Sequence, residues 1–288
     1  MSQRSDSPFR DAWRRLRRHR VAVVSIWVLL AIVVIAVAGP FLSPYPFDRQ
    51  DLPHQLQAPS LEHPFGTDAV GRDLMTRVMR GGRISLAVGI VATLVSLLIG
   101  VSWGMTAGWQ GGKTDEAMMR FVDLLYSLPF MFFVILLVAF FGQSLLLLFL
   151  ALGAVQWLTM SRIVRGEMKR LRSSEFVEAC IALGLPRHRI FLRHLLPNML
   201  GPILVYATLT VPSVMLEEAF LSFLGLGVQP PDASWGSLAN EGASAINALN
   251  TNWWLILFPG LFLGLTLLAL NFLGDGLRDA FDPDSRSA

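Results

Sequence analysis

The sequence predicts an all-α fold, a polytopic membrane protein with six transmembrane helices and a short cytoplasmic helix–turn–helix. Three observations carry that prediction. Charged residues make up 16% of the 288 positions, against about 25% in soluble domains. The apolar residues gather in uncharged runs long enough to cross a ~30 Å hydrocarbon core, which takes roughly 20 helical residues. Those runs do not alternate between apolar and polar positions as barrel strands do. Backbone groups in lipid must bond within their own segment, so each run is a helix.

The first span, residues 21–39, follows the basic stretch WRRLRRHR and ends in Ala36-Val37-Ala38, which mimics a cleavage site. Residues 21–38 outrun the 7–15 apolar positions usual in a signal peptide, so an uncleaved anchor is the better reading. The second span, 84–107, carries small residues at every fourth position: Ala92, Ser96, Gly100, Gly104 and, just beyond it, Gly108. One face of that helix lacks bulk, which lets another helix approach its backbone. The partner helix belongs either to this chain or to a second one.

Spans three to six follow at 118–141, 145–161, 202–225 and 253–273. Pro129 and Pro212 predict kinks in the third and fifth. Arg120 and Asp123 read as an interfacial pair at the start of the third. Glu217 and Glu218 lie about 15 residues into the fifth, roughly 23 Å at 1.5 Å per residue. A carboxylate there faces a cavity or a partner. A pathway or gate role and a structural pairing both stay open for Glu217, Glu218 and Pro212.

Lys and Arg orient the chain. With the N-terminus inside, 19 of the 24 fall in segments placed on the cytoplasmic side. Arg49, Arg72, Arg77, Arg80 and Arg83 fall in the first external segment; the last four run against the bias, on either an amphipathic or a protein-packed stretch. Residues 1–20 form a basic N-terminal segment, 21–83 the first helix and its external segment, 84–274 a five-helix core, and 275–288 a cytoplasmic tail. The chain is expected in a bacterial inner membrane with both termini on the cytoplasmic side.

AGWQGGKT, residues 107–114, resembles a phosphate loop, but Ala107 stands where that motif needs glycine, and no α/β unit surrounds it. The single cysteine, Cys180, excludes an internal disulfide. No Cys/His cluster has metal-ligand spacing, and no Ser/His or Cys/His constellation suggests catalysis. No cofactor, metal or nucleic-acid partner is expected, and the chain reads as a non-enzyme.

EACIALGLPRHRIFLRHLLPN, residues 178–198, is charged amid apolar spans. Phe176, Ala179, Cys180 and Leu183 fall at i, i+3, i+4 and i+7, one apolar stripe on a short helix, with Glu178 opposite. Gly184 sits where a left-handed helix stop belongs, and Pro186 suits the first turn of the next helix. Leu195-Leu196-Pro197 is expected to end that second helix at the membrane entry. Taken alone, such a pair could also rest on lipid headgroups.

Glu178-Ala179-Cys180, Gly184 after three residues, and Leu196-Pro197 resemble the EAA loop of ABC importer permeases. Cys180 replaces the second alanine, and His194 replaces the isoleucine of that pattern. The stretches at 63–89, 221–236 (LSFLGLGVQPPDASWG) and 271–283 (NFLGDGLRDAFDP) resemble the C-type permease subunits of dipeptide, oligopeptide and nickel importers. Together, in order, they cover nearly the whole chain.

The resemblance implies a coupling loop at about 166–200 that inserts into a groove on a cytoplasmic ATPase. Phe176, Glu178, Ala179, Cys180, Leu183, Gly184, Leu185, Arg187, Arg189, Leu196 and Pro197 would form it. It also implies a homologous B-type permease chain, two ABC ATPase subunits, an extracytoplasmic solute-binding protein docking near residues 227–252, and a peptide-like substrate. That external segment alternatively folds back onto the bundle. A nickel chelate is an alternative cargo. A self-sufficient secondary transporter would show internal repeats and more intramembrane charge.

Overall fold

A computed structural model describes residues 8–142, 144–246 and 251–281. Residues 282–288 of the expected tail and 247–250 of the external segment lie outside the described residues. The described chain contains helices α1 (Pro8–Arg18), α2 (Arg20–Leu42), α3 (Leu74–Gln110), α4 (Gly112–Tyr126), α5 (Phe130–Phe141), α6 (Leu145–Arg172) and α7 (Glu175–Ala182). A continuous helix α8 (Arg187–Phe223) follows, then α9 (Trp235–Ala245) and α10 (Trp254–Phe281). Helices α2, α3, α6, α8 and α10 are long and apolar enough to cross a membrane, and a shorter apolar stretch occupies Phe132–Phe141.

Several elements differ from the sequence expectation: the fourth and sixth spans run on to Arg172 and Phe281, and three others change more deeply. The second span starts ten residues earlier than Ile84, because Asp73 caps α3 by accepting from the Thr76 amide at 2.8 Å. The third span is two helices, not one kinked helix. Pro129 cannot continue α4, and its extended backbone caps α5 instead. The second helix of the hairpin does not end at Leu196-Pro197. A π-helical turn, Ile190–Leu195, precedes them, and the Leu196 amide reaches back to the Phe191 carbonyl. That widened turn lets Pro197, with no N–H of its own, enter as the first turn of the following α-helix.

The bundle is organised on the α3–α6 seam. All five small residues of the stripe are buried. A Cβ on Gly100 would lie 2.6 Å from Met160 Cβ, one on Gly104 2.5 Å from the Ser161 carbonyl, and one on Gly108 2.7 Å from Met168 Cβ. The partner helix is therefore α6 of the same chain.

The described chain ends meet at one pole. Ala12 and Leu16 of α1 pack with Ala22 and Ala280. The α3–α4 turn is near the α7–α8 hairpin, where Trp109 packs edge-on against Phe191, centroids 5.0 Å apart. At the opposite pole the segment 43–73 and α9 lie over the ends of α3 and α10. Trp235 of α9 is buried and its indole donates to the Val78 carbonyl at 2.9 Å. Residues 227–246 thus fold back onto the bundle.

Candidate functional site

The α7–α8 hairpin is built by its turn. Ser174 precedes α7, and Glu175 and Glu178 occupy the first turn, where the helix dipole favours acids. Gly184 has φ +70°. Its amide donates to the Ile181 carbonyl at 2.9 Å, and the Leu185 amide to the Cys180 carbonyl at 3.1 Å. This pair of bonds is the Schellman helix stop. A Cβ at Gly184 would meet nothing within 4 Å, so the backbone angle alone calls for glycine.

The expected apolar stripe divides. Cys180 turns inward with Val177, a residue the stripe omitted, and both pack with Ile190, Leu195, Met160, Val164, Met168 and Leu171. Phe176, Ala179 and Leu183 are exposed, Leu183 at 78%, beside exposed Glu178, Arg187 and Arg189. Leu185 and Leu196 are half-buried against the same cluster, and Pro197 is exposed. An eight-residue helix has only about two turns, so one narrow seam, Val177 with Cys180, roots it and leaves a second apolar face open.

The basic end of α6 is held by acids of α4. The Asp115 carboxylate is buried and pairs with Arg165 and with Lys169, the latter at 2.6 Å. Hydrogen bonding from Arg165 holds the Asp115 carboxyl below the usual carboxylate range, against the effect of its burial. Asp123 pairs with Arg162 at 2.8 Å, and Arg120 with Glu116 at 3.3 Å. The expected Arg120–Asp123 pair gives way to these.

In α8, Glu217 Oε1 accepts from Gln156 of α6 at 2.7 Å, and Glu218 Oε1 accepts from Ser222 at 2.6 Å. Glu218 is fully buried; Glu217 is half-buried. The Oε2 atom of each has no protein partner among the described residues. Pro212 is buried within α8.

The arginines at the opposite pole are packed in protein, settling what the sequence left open. Arg77 is 1% exposed, donating to Asp68 at 2.7 Å and to Glu241 Oε1 at 2.9 Å. Arg72 joins the same two acids at 2.6 and 3.2 Å. Arg80 pairs with Asp232 at 3.0 Å and lies over the Phe47 ring; Arg83 donates to the Ala36 carbonyl at 2.8 Å. The sequence signal was present: the acids Asp232 and Glu241 sit in a segment without Lys or Arg.

The family described as "Binding-protein-dependent transport system inner membrane component" matches residues 96–287. The chain belongs to that family. The "N-terminal TM domain of oligopeptide transport permease C" matches residues 7–59, so α1, α2 and the following segment have their own counterpart beside the shared permease core. This permease component is 50% identical over 282 residues to the oligopeptide transport system permease protein OppC of Haemophilus influenzae, covering 97% of this chain and 90% of the relative. It is 48% identical to the dipeptide transport system permease protein DppC of Bacillus subtilis, covering 96% and 86%. Its fold resembles a chain of the MetNI methionine ABC transporter in an inward-facing conformation, with a TM-score of 0.60, 18% identity, and coverage of 73% and 98%. The α7–α8 hairpin and both intrahelical glutamates fall within the permease match.

Proposed function

We propose that this permease component is one of two homologous transmembrane chains of an ATP-driven importer of dipeptides, oligopeptides or related peptide-like solutes. It works with two cytoplasmic ATPase subunits and an extracytoplasmic solute-binding protein. The pole bearing α1, the hairpin and the end of α10 faces the cytoplasm, as the clustering of basic residues favours. The peptide cargo follows from relatives named as oligopeptide and dipeptide permeases at about half identity over nearly the full chain.

The observation that carries the coupling role is the unpaired face of α7. Phe176, Ala179 and Leu183 stand exposed while Val177 and Cys180 anchor the same helix to α6. A helix rooted on one side and apolar on the other transmits displacement of a bound partner to α6 and, through the seam, to α3. Glu178, Arg187 and Arg189 supply polar contacts at the rim. ATP-driven closure of the ATPase pair then biases the bundle between its two access states.

Two substitutions test this. Gly184→Val places a β-branched residue at φ +70°, a strain of about 1 kcal/mol or more. Glu178→Lys reverses a rim charge. Each variant is expected to insert normally and to lose tagged ATPase on co-purification, with transport falling in parallel. Full ATPase recovery and full transport in both would place the coupling contact elsewhere.

A further inference from the structure

Helix α8 carries polar residues at 206, 210, 213 and 217, spaced i, i+4, i+7 and i+11, along one face, while Thr208, Glu218 and Ser222 lie off it. Tyr206 is half-buried, Thr210 buried, Ser213 exposed and Glu217 half-buried. Two side chains of α6 extend the stripe. Gln156 bonds Glu217 at 2.7 Å, and Thr159 lies beside the Tyr206 hydroxyl. Both are half-buried.

The hydroxyls of Thr210 and Ser213 return to the carbonyls of Tyr206 and Leu209, at 2.9 and 3.2 Å, which any helix in lipid tolerates. A carboxyl group held by a carboxamide, with its second oxygen buried and unpartnered, is different, because hydrocarbon offers a polar group no partner. This face therefore meets water or a polar partner. Glu217 Oε1 is taken by Gln156, Oε2 has no protein partner among the described residues, and no described cation pairs with the group. The carboxyl group is held in place on one side and left without a partner on the other.

We infer that this stripe is the wall of the solute pathway and that Glu217, held by Gln156, is the subsite that meets the α-ammonium of the passing peptide. The inference rests on the peptide-importer reading. A zwitterionic peptide leaving water needs a compensating charge for its ammonium within the span, and a single carboxylate in its far part offers one contact that is strong enough to admit the group and weak enough to release it. Oε2 is covered in this conformation, so the ammonium reaches it when the bundle opens.

The test uses the assembled importer in vesicles. Ser213→Cys puts a thiol four residues from Glu217, with the parent chain, whose sole cysteine is buried, as the blank. Methanethiosulfonates bearing a trimethylammonium or a sulfonate group probe it. The cationic reagent is expected to react several-fold faster, the preference to vanish when Glu217→Gln is added, and a free-amine peptide delivered by the receptor to protect the thiol. Glu217→Gln alone is expected to lower uptake of that peptide about tenfold, the loss of one charge-assisted contact, with the complex still recovered whole. A thiol that neither reagent reaches, a preference untouched by Glu217→Gln, or unchanged uptake overturns the inference. So does dissociation of the second permease chain in Glu217→Gln, which would make the carboxylate a subunit-pairing group. A wild-type complex without ATP-driven peptide uptake overturns the function beneath it instead, and the thiol's charge preference still reads the site.

Discussion

Asp115 shows how one buried acid sets a helix contact. Its carboxylate receives Arg165 and Lys169 of α6 while sitting in the first turn of α4. The same charge suits the helix N-terminus there. Because Arg165 depresses its pKa below the ordinary 3.8, the clamp contributes fully above that value and is lost as pH falls through the depressed one. Melting of the purified chain is therefore expected to weaken below about pH 4. Asp115→Asn is expected to melt lower at neutral pH and to lose part of that acid dependence. An unchanged acid limb in Asp115→Asn would assign the limb to other carboxylates.

Among the elements, the α3–α6 seam has the least freedom. A methyl on Gly104 would meet the backbone carbonyl of Ser161 at 2.5 Å, and backbone cannot swing aside as a side chain can. Gly166, on the exposed face of α6, has nothing within 4 Å of a built Cβ. The same Gly→Ala change is thus expected to act in opposite directions. Gly104→Ala should separate the helices and reduce both melting temperature and membrane abundance. Gly166→Ala should be neutral or stabilising by up to about 1 kcal/mol from helix propensity. Equal effects at both positions would mean that the helices do not pack through this stripe.

The whole molecule is tied at the pole opposite its chain ends by charge. Arg77, in the first turn of α3, reaches Asp68 in the preceding segment and Glu241 in α9, 164 residues away. Arg72 closes the cluster. Removing one partner of a buried ion pair typically costs about 3–5 kcal/mol, since the remaining charge stays buried. Arg77→Met is expected near the lower end, because Arg72 still serves both acids, and Arg77→Lys should lose less. Thermal melting and proteolysis within residues 43–73 report the change. A wild-type melt and cleavage pattern in Arg77→Met would show that α9 is held by Trp235 and its apolar neighbours alone.

Several features were legible in the sequence because their causes are local. A bilayer leaves an uncharged run of twenty residues no alternative to helix, so the helical class and the apolar middles of the five long helices followed from composition along the chain, but their ends did not. Gly184 was readable as a turn because only glycine takes φ +70° without cost. The broken span at Pro129 and the π-turn before Pro197 were not, since a proline marks a disturbance without saying whether the helix kinks, stops or widens. The side of α7 that faces α6 also escaped. Val177 and Cys180, not Phe176 and Leu183, meet the apolar surface shared by α6 and the start of α8, a partner absent from the spacing of α7 itself. The partner of the small-residue stripe and the acids that answer Arg72, Arg77 and Arg80 belong to the same class. Bulk and charge are written at each position, but what they meet lies many residues away and is decided only when the helices pack.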